Sequence, residues 1–449
     1  MLTFWGPKRQ FCDRINRRDF LRVGALGLSG LTLADVLRLR ARADSPSSVR
    51  SVIMICLAGG PSHIDMYDLK PNASSEYRGD FKPIKTNVSG FDICQLFPKQ
   101  AQIADKLALV RTVQFVEPMQ HELEECYTGF PKADKRPVFG SVISRFRDGD
   151  ARIPRYVSLD QYYGNHAELE NPRYVGAAHR PFLYGSEGVK NLSLSPKLTR
   201  TRLDDRKGLR NAFDTLRRDI DVREDMGAID AFSAQALEMI TSPRARQAFD
   251  LSREPDRVRE RYGSKSDKYT YGNDPKPTNP WPGDKFLLAR RLVEAGVSVV
   301  TMRIGTWDYH GTTSGTGNIF VGLRTQLPLL DRSIHALVSD LHDRGLDKEV
   351  AVLVWGEFGR TPRLNKVEGR DHWPDAGFAL FAGGGLRTGL VVGETDSKAE
   401  RPRSRAVGAQ NVLGTLYHVL GINPEQTLPD FTGRPRCLLD NGAPITELV

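Results

Sequence analysis

The stretch from Val297 to Gly311, VSVVTMRIGTWDYHG, changes chemistry abruptly: a run of β-branched and apolar residues gives way to Asp308 and His310. If extended backbone continues through them, an acid and an imidazole two positions apart leave the chain on the same side and can hold one cation. The same switch recurs twice. SVIMICL (51–57) runs into Ala58-Gly59-Gly60-Pro61 and then Ser62, His63 and Asp65, and the apolar run Glu349 to Trp355 ends in Gly356-Glu357-Phe358-Gly359-Arg360. His372, in Gly369-Arg370-Asp371-His372-Trp373-Pro374, lies in a polar loop before another apolar run, Phe378 to Ala382. Asp308, His310, Glu357 and His372 thus supply two carboxylates and two imidazoles, a set that favours zinc or manganese over calcium. Glycines 59 and 60 would let backbone amides approach an anion or a metal-bound ligand closely. A plainer reading of the same residues pairs Glu357 with Arg360, uses the histidines as loop hydrogen-bonders and treats GGPS as a change of direction.

The elements that must position these groups are strands of a parallel sheet. Val297, Val299, Val300, Met302 and Ile304 read as a strand buried on both faces, as do the runs at 51–57 and 349–355. In open α/β sheets the crevice lies beyond the carboxyl ends of the strands, so loops distant in sequence would gather at one rim. Phe286 to Ala295 predicts an amphipathic helix feeding the 297–304 strand, the α-to-β step of a parallel sheet. Leu96 to Val113 predicts helix and then strand, Val138 to Phe146 a helix, and Tyr156 to Leu159 a short strand. Pro118 opens a helix that Thr128-Gly129 closes, with His121 in its first turn. Leu327 to Arg344 predicts a long helix with Pro328 in the first turn and Gly345 to end it, and Ala409 to Leu420 another. His335, His342 and His418 take structural roles. Residues of about 193–284 form a helical insertion and loop, whose interleaved charges of both signs mark solvated helix faces.

A formal charge of +9 would suggest nucleic acid, but residues 1–43 hold nine Lys/Arg against three acids. The rest of the chain carries 55 basic and 52 acidic residues, which excludes a nucleic-acid footprint there. That leader, residues 1–43, has Asn16-Arg17-Arg18-Asp19-Phe20-Leu21 before an apolar run from Val23 to Leu33, with Ala41-Arg42-Ala43 as a cleavage region. The run is well short of the roughly 20 residues of a membrane span, so the expectation is a removed twin-arginine-type signal, export to the periplasm or beyond, and no stable membrane span. Residues 44–449 would then be the mature α/β domain. No cysteine pair has zinc-ribbon or redox spacing, and a structural disulfide is not expected.

LAGGPSHIDMYDLKP (57–71), FLLARRLVEAGVSVVTMRIGTWDYHG (286–311), GEFGRTP (356–362) and GRDHWP (369–374) together resemble the successive signatures of the family catalogued as domain of unknown function 1501. That family is placed in the alkaline phosphatase-like superfamily with sulfatases and phosphomutases. The resemblance runs from about Arg50 to the C-terminus. It implies an α/β fold, a three-layer α/β/α sandwich around a mostly parallel sheet, and metal-assisted hydrolysis or transfer of phosphate or sulfate esters. Asp308, His310, Glu357 and His372 would correspond to metal-binding positions, and Arg360 would neutralise an oxygen of an anionic substrate. Two positions depart from the superfamily pattern. Leu57-Ala58 stands where sulfatases and phosphatases place a metal-binding Asp, and Met119 or Gln120 where they place the nucleophile. Asp65 would replace the lost carboxylate, Ser62 or a metal-bound water would attack, and His121 or His63 would carry the proton. Three readings stay open: an ester hydrolase, a non-catalytic relative that binds a sulfated polysaccharide or an envelope partner, and a structural envelope protein.

Overall fold

The apolar runs become strands because their alternate residues find a buried layer on each side. In a computed structural model of the protein the described residues are 49–116, 121–147, 149–150, 152–160, 168–185 and 242–449. The leader, and residues 193–241 of the expected insertion, lie outside them. β1 (Ser51–Cys56) is buried along its whole length. With it run β2 (Leu107–Gln114), β3 (Tyr156–Ser158), β4 (Phe182–Leu183), β5 (Val299–Arg303), β6 (Val350–Trp355), β7 (Gly377–Gly383), β8 (Leu390–Val392) and β9 (Val407–Gly408). They make a nine-stranded sheet of order β8-β2-β7-β6-β1-β5-β3-β4, with β9 also paired to β2. The pairings are parallel except those of β7 with β6 and with β2.

The helices that cover the sheet are α1 (His63–Met66), α2 (Glu124–Thr128), α3 (Phe139–Phe146), α4 (Pro243–Phe249), α5 (Asp256–Tyr262), α6 (Gly283–Ala295), α7 (Ile319–Asp343) and α8 (Ala409–Val419). Ile53, Ile55, Val300, Met302, Val352 and Val354 share one core with Phe286 and Leu292 of α6 and Leu323 and Leu327 of α7. Their neighbours Val52, Met54, Val299, Leu353 and Trp355 share the other with Val142 of α3 and Leu413 and Leu416 of α8. The architecture is the expected three-layer α/β/α sandwich around a mixed, mostly parallel sheet.

Four local expectations need correction. His121 precedes a helix instead of lying in its first turn, since α2 starts at Glu124. α7 begins at Ile319, so Pro328 lies inside it rather than in its first turn. The Asn318 side chain caps that start, accepting from the N–H groups of Phe320 (2.8 Å) and Val321 (3.2 Å), a signal hidden behind the Gly- and Thr-rich approach. Residues Gln100–Lys106 form a 3-10 rather than an α-helix. The charges of the insertion are not all solvated: Glu254 is buried, paired with Arg290 of α6 (2.8 Å) and with Arg291, while Arg290 also meets Asp340 of α7 (2.9 Å).

Parallel pairing sets Cys56 opposite both Arg303 and Trp355, so β1, β5 and β6 end at one rim. Antiparallel β7 begins there, with Ala379 opposite Trp355, and β2 ends there, with Val113 opposite Gly377. Five loops therefore leave or enter the sheet at a single edge.

Candidate metal centre

The loop after β5 carries the first two groups. The strand stops at Arg303, yet the alternation persists: Trp307 and Tyr309 are buried, and Asp308 and His310 face the other way with His310 Nε2 2.8 Å from Asp308 Oδ1. This approach to β1 requires glycine at two places. Gly59 (φ +106°) would set a Cβ 2.8 Å from the Asp308 nitrogen, and Gly60 (φ +72°) would set one 2.4 Å from the Phe358 ring. From the loop after β2 comes His121, its Nε2 3.2 Å from Asp308 Oδ1. From the loop before β7 comes His372, held on a two-residue ladder in which Gly359–Arg360 pairs antiparallel with His372–Trp373. His372 Nε2 lies 3.6 Å from Asp308 Oδ1 and 3.0 Å from His310 Nε2. The Phe358 ring walls this side, its centroid 4.5 Å from that of His372 and 5.6 Å from that of His121. One ligand atom from each of His121, Asp308, His310 and His372 falls within 4.8 Å of all the others.

Whether these residues suit a cation is decided by where their protons sit. His310 Nδ1 lies 2.7 Å from Asp371 Oδ1, so Nδ1–H donates there and the Nε2 lone pair turns inward toward a carboxylate oxygen and a second imidazole nitrogen. Such contacts are favourable with a cation, or a proton, between them. His121 repeats the arrangement, its Nδ1 3.2 Å from Glu357 Oε1. Burial works against charge on His121, but its hydrogen bonds to Asp308 and Glu357 outweigh that and push its pKa up to about 9. Burial likewise opposes charge on Asp308, yet the bonds from His121, His310 and His372 and the nearby Arg360 hold its carboxyl far below the usual range. The donor set of the Asp308 carboxylate and the imidazoles of His310 and His372, with Asp371 behind the His310 ring, fits a zinc-like ion.

The family described as "Protein of unknown function (DUF1501)" matches residues 49–449. The chain belongs to this family. No curated protein matches it. Solved structures similar in outline include the lipoteichoic acid synthase LtaP from Listeria monocytogenes, at 9% identity over 84% of this chain and 73% of that one, TM-score 0.38. Others are the PsFucS1 sulfatase from Pseudoalteromonas sp. (8% identity, 87% and 70% covered, TM-score 0.33) and the C-terminal periplasmic domain of EcEptC from Escherichia coli, in complex with Zn (10% identity, 91% and 93% covered, TM-score 0.34). Among the described residues of this DUF1501 chain, no helix is long and apolar enough to cross a membrane.

Not every residue singled out in the DUF1501 signatures reaches the cluster. Glu357 stands behind His121: its Oε1 accepts the Gly59 N–H at 2.7 Å, so the glycine turn serves an internal carboxylate instead of an anionic ligand. Asp65 takes no place among the ligands. It is fully buried, accepts from Arg370 Nε (2.7 Å) and Nη2 (3.1 Å), and receives the Ser62 hydroxyl at 2.6 Å. Ser62 is thereby turned away from the role of attacking group. His63 is buried in α1 with Nε2 2.9 Å from the Ala399 carbonyl, out of position to carry a proton. Arg360 is wholly buried, donating to the carbonyls of Gly59, Gly60 and Arg370 and to Asp308 and His310, which leaves no N–H for a substrate oxygen. Met119 and Gln120 lie outside the described residues. Asp371 and Arg370 were missed as site residues, and their one signal was membership in GRDHWP beside His372.

Proposed function

We propose that this chain is an exported, metal-dependent hydrolase of anionic phosphate or sulfate esters. The observation that supports it is the inward-turned Nε2 of His310, fixed by Asp371 beside Asp308 and His372. In this reading Asp308, His310 and His372 hold a divalent ion, zinc or manganese before calcium. Three protein ligands leave a tetrahedral ion one open position, as a catalytic site needs. The ion, when bound, supplies Lewis-acid polarisation of the ester. In this reading a water molecule attacks the phosphorus or sulfur as the ester bond breaks, His121, kept charged between Asp308 and Glu357, would give its Nε2 proton to the departing oxygen, and Glu357 fixes the ring through Nδ1. Arg360 holds Asp308 in place from behind. The leader delivers the chain across the membrane.

A second reading, a non-catalytic relative that binds a sulfated polysaccharide or an envelope partner, is favoured by one observation: the Ser62 hydroxyl is committed to Asp65. Full-length mature protein purified without chelator and offered an aryl phosphate and an aryl sulfate separates the two. The hydrolase reading expects ion-dependent turnover that His121→Gln lowers by about 100-fold or more with the ion retained. Bound ion without turnover of either ester class supports the binder.

A further inference from the structure

Beneath the rim, two cysteines far apart in sequence meet. Cys56 is the last residue of β1, opposite Arg303 and Trp355, and Cys126 lies in the middle of α2. Both are wholly buried in the core layer that holds α3 and α8, and their sulfurs share a hydrogen bond. The other described cysteines are placed differently. Cys94 is buried in the opposite core layer, across the sheet, where its sulfur accepts the Leu96 N–H at 3.5 Å, and Cys437 is half-buried in the strand Pro435–Cys437. Among the described residues, Cys56 and Cys126 make the one thiol–thiol contact.

That contact closes a ring beneath the metal centre. His121, five positions before Cys126, turns Nδ1 to Glu357 Oε1 at 3.2 Å, and the same oxygen accepts at 2.7 Å the N–H of Gly59, three positions after Cys56. Chain and hydrogen bonds thus run from Cys56 through Gly59, Glu357 and His121 to Cys126, and a thiol hydrogen bond completes the circuit. α2 needs that support: it has five residues and no side chain caps its start, too short to hold itself. Burial and the bond to Cys56 push the Cys126 thiol well above its ordinary range, so Cys126 keeps its proton and donates it. The same bond favours charge on the Cys56 sulfur, although burial outweighs it, and Cys56 is the one that ionises first.

We infer that Cys56 and Cys126 are a disulfide-forming pair that locks α2, and with it the His121 segment, to the end of β1 in an oxidising compartment. The oxidant is a small-molecule disulfide of the glutathione type. The Cys56 thiolate attacks one of its sulfurs and expels a thiolate; the Cys126 sulfur, losing its proton, attacks the mixed disulfide and expels the second. Two S–H bonds become one S–S bond, and the oxidant leaves as two thiols. This link depends on neither ester hydrolysis nor a bound ion. The test incubates reduced, mature full-length protein with oxidised glutathione and, separately, with diamide, which takes up the two hydrogens itself; after denaturation the free thiols are alkylated and the peptides mapped by mass. Reduced protein carries four alkylated cysteines. Oxidised protein is expected to carry two, with residues 56 and 126 in one linked peptide pair that dithiothreitol separates. Amide hydrogen exchange over 121–128 is expected to slow about tenfold or more in the linked protein. Cys126→Ser, shown folded by its melting curve, should lose no thiol and exchange alike with and without oxidant. Four thiols remaining after both oxidants, or a link between any other pair, overturns the inference. A 56–126 link that leaves exchange over 121–128 unchanged overturns the lock.

Discussion

His121 stands between two carboxylates, with Nδ1 toward Glu357 and Nε2 toward Asp308, each at 3.2 Å. Burial alone would lower its pKa; the two hydrogen bonds reverse the sign and raise it to about 9 from 6.5. The charged ring therefore adds to folded stability below about pH 6.5, and this contribution fades as pH rises through about 9. In metal-free protein the imidazole NMR shifts of His121 are expected to titrate near pH 9, and Glu357→Gln to bring the midpoint back toward the ordinary value. A wild-type midpoint near 6.5 would contradict the dyad. At this scale part of the centre was legible. Asp308 and His310 share a side because two-residue alternation outlives the strand that sets it, and that needs only spacing. Arg370 was invisible for the opposite reason: an arginine in a polar loop normally lies in water, and only the carboxylate of Asp65, 305 residues away, explains its burial.

The loops at the rim are tied to each other more than to the sheet. Arg370 receives no solvent; it joins Asp65 of α1 and donates to the carbonyls of Thr361 (3.1 Å), Pro362 and Tyr77 (2.8 Å), while its own carbonyl accepts from Arg360. One side chain thus fixes the segments before His372, after Arg360 and after α1. Removing one partner leaves a buried charge alone, so Arg370→Met or Asp65→Asn is expected to cost about 3–5 kcal/mol in urea unfolding, and the double replacement less than the sum. A single-variant cost below about 1 kcal/mol would show that the pair is not the clamp described. The element boundaries set by strong apolar runs were readable: 51–57, 349–355 and 297–304 became β1, β6 and β5 to within one residue at every end but the start of β5. Ser62, His63 and Asp65 read as site residues because they follow a strand end. Asp65, with Ser62 bonded to it, turned inward because the 369–373 loop supplied Arg370, and His63 because Ala399 offered its carbonyl, partners that no local pattern reveals.

Across the whole molecule, the centre exists because of strand order. β1 lies between β5 and β6, all three parallel, and antiparallel β7 starts where they end. Apolar runs of similar composition are interchangeable in sequence, so the parallel rim could be expected while the order and the reversed β7 could not. Because Asp308, His310 and His372 come from the loops after β5 and before β7, an ion bound to them would join distant parts of the chain that unfolding separates. Zinc at about 100 times its Kd should raise the unfolding free energy by about 2.7 kcal/mol, and Asp308→Asn should abolish the rise. An equal rise in the variant would place the ion elsewhere. The most direct measurement is an anomalous difference map at the zinc edge from crystals of mature protein grown with zinc. A peak about 2.0–2.2 Å from Asp308 Oδ1, His310 Nε2 and His372 Nε2 is the expected result. Absence of density at that point while zinc is bound at another site, or at none, would contradict the assignment.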